Sequence, residues 1–137
     1  MNNFMCLLVF LSLGFAAFSQ TTSSLETEEY LLDGTSFTYQ YQSGSAIDIS
    51  FAHGQLTYQW IAGKNAGKPA KTYPYKSRKL DSGLYLVNWH EPILKNYITL
   101  VYNFTNNTCA SSVIVNYGSE TPVLAFEGGI IEHVRIK

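Results

Sequence analysis

The sequence has little cysteine and little charge. Two cysteines occur in 137 residues, and charged side chains make up 14%. One of the two, Cys6, sits in residues 5–18 (MCLLVFLSLGFAAF), an uncharged and mostly apolar run. The run ends at Ala17-Phe18-Ser19, with small residues three and one positions before Gln20. That pattern reads as a secretory signal peptide, 1–19, cleaved after Ser19. Met1-Asn2-Asn3-Phe4 supplies no Lys or Arg, so a plain N-terminal anchor is the alternative. With the leader removed, the expected location is secreted or periplasmic, and residues 20–137 form one domain without repeat or linker. Cys109 is then alone, which excludes an internal disulfide. A catalytic thiol needs a base beside it. No motif surrounds Cys109, so it reads as a small apolar residue inside a strand.

Other absences narrow the function. The net charge is −1, against the strong basic excess of a nucleic-acid partner. Nowhere after residue 19 is there a run of the ~20 apolar residues that cross a membrane. His53, His90 and His133 lie far apart, and no H-x-x-x-H or C-x-x-C spacing occurs. No metal and no cofactor is therefore expected. No Lys or Arg precedes residue 64, and six of the nine basic residues crowd into 64–79. This stretch reads as a solvated loop and edge strand, or as a patch that draws an anion toward a binding site.

What the chain does hold is tyrosine, ten in all, on alternating strands. Ser23 and Glu26 fit a capping box, and a short N-terminal helix is expected over 24–32, ending before Gly34. Everything later reads as strand. In 36–42 (SFTYQYQ), Phe37, Tyr39 and Tyr41 share one face. In Ala46–Ala52 (AIDISFA), Ile47, Ile49 and Phe51 do so. In 55–61 (QLTYQWI), Leu56, Tyr58 and Trp60 do so. Ser43-Gly44 and His53-Gly54 turn the chain between them, which makes an antiparallel meander. A short strand over 72–79 is interrupted by Pro74. Strands at 84–89, 96–104, 108–117, 121–127 and 130–137 complete the chain. About eight to nine short strands with regular turns imply an all-β fold. Pairing of sequence neighbours favours an up-and-down antiparallel β-barrel, which leaves no exposed edge and has room for one small ligand.

Large aromatics alternating on a strand are usually core, yet a buried tyrosine hydroxyl needs a partner, and a ligand can supply it. Glu91 shares the face of Tyr85, Val87 and Trp89 and precedes Pro92. Pointing inward, it is a candidate general acid or base. At the rim in a turn, it is simply solvated. The spacing leaves both open.

Three stretches carry a resemblance: FTYQYQSG (37–44), AGKNAGK (62–68) and SGLYLVNWHEP (82–92). They resemble the bacterial phenolic acid decarboxylases and their relatives, the MoaF-like proteins, over roughly residues 34–104. The W-x-E-P run is the most specific part. The resemblance implies a lipocalin-like (calycin) barrel with a cavity. It also implies catalytic roles for Tyr39, Tyr41 and Glu91 in cofactor-free decarboxylation of hydroxycinnamic-type acids. The two tyrosines would bind the substrate carboxylate, and Glu91 would handle the proton. Lys68 stands where the decarboxylases have arginine, and a lysine cannot make the bidentate fork. Pro69 replaces their tryptophan, and the leader sets the chain apart from those cytoplasmic enzymes. The MoaF-like branch is therefore the closer match. The expected ligand-binding set is Tyr39, Tyr41, Tyr58, Trp60, Lys68, Tyr85, Trp89 and Glu91. The expected partner is a small, partly apolar or aromatic acid; oligomeric state is open, with a homodimer as one option.

Overall fold

The computed structural model describes residues 29–136. The leader and residues 24–28 of the expected helix lie outside the described residues. Residues 29–34, which include the end of that expected helix, form a bend and a turn. Eight strands follow: β1 Thr35–Tyr41, β2 Ala46–Ala52, β3 Gln55–Ala62, β4 Lys71–Asp81, β5 Leu84–Glu91, β6 Asn96–Asn103, β7 Thr108–Val115 and β8 Val123–Ile136. Each pairs antiparallel with its neighbour in sequence, and β1 pairs with β8 to close the barrel. The fold is thus the all-β up-and-down barrel that alternation and turn spacing imply.

Two strands are longer than their local pattern suggests, because each changes partner midway. β4 pairs with β3 through Lys71–Pro74 and with β5 from Tyr75 onward. Pro74 lacks an N–H, and it stands where one ladder ends and the next begins, so it does not break the strand. β8 pairs with β7 over 123–130 and with β1 over 129–136, continuing through Gly128-Gly129 where two strands were expected. Near its end β8 carries a bulge: the register with β1 jumps from Ser36↔Arg135 to Thr38↔Glu132, one extra residue on β8, and His133 within that step has a positive φ of 52°.

Gly129 faces inward between Tyr41 and Cys109. A Cβ there would stand 2.6 Å from the Gln40 carbonyl oxygen and 3.0 Å from the Cys109 Sγ. Gly129→Ala is expected to destabilise the barrel by about 2 kcal/mol through this overpacking. An unchanged urea midpoint would contradict it.

The barrel has unlike ends. At the lower end, Phe37 packs against Tyr102, Phe104 and Phe51 at centroid distances of 4.8, 5.2 and 5.9 Å. The segment before β1 seals this end. Leu32 is buried there. The Ser77 Oγ accepts from the Leu31 N–H at 2.8 Å and donates to the Glu29 carbonyl at 3.1 Å. The Tyr75 hydroxyl accepts from the Leu32 N–H at 3.2 Å and donates to Asp33 at 2.9 Å. These bonds cover the lower half of β4 that β3 leaves unpaired. The upper end stays open.

Candidate functional site

The upper half of the barrel holds a cavity of about 310 Å³. Tyr39 and Tyr41 reach it from β1, Tyr58 and Trp60 from β3, and Trp89 and Glu91 from β5. Lys68 reaches it from the β3–β4 loop, its Nζ donating to the Asn65 Oδ1 at 2.7 Å. Seven of the eight residues named from the sequence therefore meet around one void. Tyr85 does not. It shares a face with Trp89 and Glu91, but β5 rises through the barrel, so Tyr85 lies at the lower end against Phe104 at 5.9 Å. Alternation tells inside from outside; it does not tell height.

Glu91 is 2% exposed, which settles its two readings in favour of the interior. Its Oε1 accepts from the Tyr58 hydroxyl at 2.6 Å and from the Trp89 Nε1–H at 3.1 Å. Its Oε2 accepts from the Asn96 Nδ2 at 2.9 Å. Asn96 stands opposite Glu91 across the β5–β6 turn. Three donors from three directions hold the carboxyl group in one orientation, as a buried polar group requires. Burial, and then the Glu91 carboxylate beside it, pushes the Tyr58 phenol far up.

The opposite wall is different. Tyr39 and Tyr41 meet edge to face at 5.3 Å. Burial and the neighbouring phenols of Tyr102 and Tyr41 hold Tyr39 well above the ordinary tyrosine range. Burial also raises Tyr41. The Cys109 thiol is pushed up to about 11 by burial, consistent with an inert strand cysteine.

Sequence reasoning missed several lining residues, chiefly Lys71, Asn96, Ser111 and Glu127. Asn96 carried a signal, since it begins the strand that returns opposite W-x-E-P. Glu127 is an inward position of β8, hidden because the strand was read as two pieces. Its carboxylate accepts from the Ser43 hydroxyl at 2.8 Å. The cavity thus combines aromatic walls with two lysines and two glutamates.

The raised tyrosines and thiol set an alkaline limit on stability. A group held protonated by the fold contributes fully below its unfolded pKa, and the contribution is lost as pH rises toward its folded value. The thiol's ordinary value is 9.0 and the tyrosines' is 10.0. Stability is therefore expected to hold up to about pH 9 and to fall steeply above pH 10. Denaturant midpoints across an alkaline series, followed with tyrosinate absorbance, test this. Ordinary phenol titration without loss of stability would refute it.

A closed eight-stranded barrel with an aromatic-walled cavity that holds a few charged groups at one end defines a class of small β-barrel proteins. The MoaF-like family model matches residues 33–128, and the chain belongs to that family. A crystal structure of a protein from Burkholderia vietnamiensis, provisionally named a beta-lactamase, superposes with a TM-score of 0.62 at 17% identity. The alignment covers 81% of this chain and 100% of that one. At this identity the likeness speaks to the fold alone. No curated protein matches the chain.

Proposed function

We propose that this chain is an exported barrel that binds one small, partly apolar or aromatic acid in its upper cavity. The observation that carries this reading is the convergence of Tyr39, Tyr41, Tyr58, Trp60, Lys68, Trp89 and Glu91 on one void of about 310 Å³. That volume suits a ligand of modest size, and mostly apolar walls with a few fixed polar groups are the usual make-up of such sites. Lys68 and Lys71 at the mouth favour an anionic group on the ligand. Trp60 and Trp89 both line the cavity, so their fluorescence reports occupancy. Titration of the mature protein with para-coumarate and ferulate is expected to give saturable quenching. A linear response to both would count against the reading.

A second reading is a cofactor-free lyase similar to phenolic acid decarboxylase. It is favoured by Tyr39, Tyr41 and Glu91 sharing the cavity. Glu91 would need a spare acceptor site facing the substrate, since each of its oxygens already takes a donor. Incubation with para-coumarate at high protein concentration, followed by substrate absorbance, separates the two. No loss of substrate removes the lyase reading and leaves the binding one standing.

A further inference from the structure

The Tyr102 hydroxyl is the one buried side-chain polar atom without a hydrogen-bond partner among the described residues. Tyr102 is 0% exposed. Its ring is wedged against Phe37 at 4.8 Å and stacked on Phe104 at 6.2 Å, so it cannot swing out to water. A phenylalanine would fill the same space without leaving a costly unpaired hydroxyl. The hydroxyl needs an explanation.

Its surroundings offer one. The phenols of Tyr39 and Tyr41 lie close enough to Tyr102 to influence its ionisation, which burial pushes up. The Tyr39 and Tyr102 rings are 5.7 Å apart. Tyr39 and Tyr41 line the cavity; Tyr102 stands behind them. Elsewhere the buried phenols face acids: Tyr58 donates to Glu91 and Tyr75 to Asp33. Among the described residues, no carboxylate accepts a hydrogen bond from this trio. The Cys109 thiol is near but makes no hydrogen bond to Tyr102. In a row of three hydroxyls each oxygen can accept from the one behind it. One O–H is then left over, and it points where the row ends.

We propose that Tyr102 is a positioning residue for the cavity's ligand: when an anionic oxygen occupies the cavity, the Tyr102 O–H, otherwise unpartnered, donates to Tyr39, and the row Tyr102–Tyr39–Tyr41 presents a polarised donor that selects that oxygen over a neutral one. The proposal rests on the binding reading above. Hydrogen bonds in a chain strengthen one another in a low-dielectric interior, and a charged acceptor gains more from that than a neutral acceptor. Tyr102 thus acts on the ligand through Tyr39, without touching it.

The test compares the wild type with Tyr102→Phe, using para-coumarate and its neutral amide as probes of nearly equal shape. Tyr102→Phe is expected to weaken the acid about tenfold and the amide less than about twofold. A purely structural role would move both alike, and an equal loss overturns the proposal, as does undiminished binding of the acid. The ligand-free protein gives a second readout. Removing an unpartnered hydroxyl is expected to raise Tm by about 3 °C. A fall in Tm shows that the hydroxyl already has a partner and overturns the relay alone. Binding of neither probe by the wild type overturns the binding reading and the relay with it.

Discussion

Replacing Glu91 with leucine is expected to lower the stability of the barrel by about 4 kcal/mol. Leucine approximates the volume but accepts nothing. The Tyr58 hydroxyl, the Trp89 Nε1–H and the Asn96 amide all lose their acceptor at once. Each unsatisfied buried donor costs about 1–3 kcal/mol, with water entering from the open end recovering part of the sum. Glu91→Gln separates charge from acceptor capacity. Its carbonyl can keep Tyr58 and Trp89, but its amide then faces the Asn96 Nδ2. Asn96 cannot simply flip, because its Oδ1 accepts from the Asn116 N–H at 3.2 Å. A loss of about 1–2 kcal/mol is expected for Gln. Urea unfolding of both variants checks the order. A leucine variant within about 1 kcal/mol of wild type would mean that the three donors find other partners.

Phe37→Ala is expected to cost about 4–5 kcal/mol, at the upper end for a buried aromatic. Phe37 is 1% exposed. Four rings surround it: Tyr102, Phe104, Phe51 and Tyr39, with centroids between 4.8 and 6.1 Å away. Rings are rigid and held by their own strands, so the space left behind closes poorly. Edge-to-face contacts are lost beyond the area term. The variant is expected to keep its upper cavity, because Phe37 is not part of the lining. Urea denaturation and the para-coumarate titration together test this. A loss below about 2 kcal/mol would show that the lower end repacks more freely than its geometry implies.

The fold was legible because its signals are local. Phe37, Tyr39 and Tyr41 point inward for the reason that their spacing suggests, and Ser43-Gly44 and His53-Gly54 turn the chain where expected. The less legible parts depend on partners distant in the chain. Pro74 suggested an interruption, yet β4 continues because its neighbour changes there. Gly128-Gly129 suggested a break, yet β8 continues because it hands over from β7 to β1.

The placement of the candidate site's residues was legible to the same degree and for the same reason. Parity placed Trp89 and Glu91 inside, and it placed Tyr85 inside with them. Only the register across strands assigns Trp89 to the cavity and Tyr85 to the floor. Lys71 and Glu127 carried no such signal, because their places on the cavity lining depend on where two long strands meet the rim. Tyr102 carried no sequence signal beyond its parity, since an unpaired hydroxyl is visible only once every neighbour is placed.

Closure by β1 and β8 also bears on how the chain folds. Every other strand pair joins neighbours in sequence, so each forms as a hairpin over a short loop. The β1–β8 ladder instead joins Thr35 to Ile136, nearly the whole described chain. The loop entropy of the fold therefore falls mainly on that single seam. Tyr39 and Tyr41 lie on one side of it and Glu127 on the other. A partly folded chain with every hairpin formed would have its aromatic strands in register and still have no enclosed cavity. On the proposed binding function, ligand capture would then mark the last step of folding, and a ligand that bridges the seam would slow its reopening.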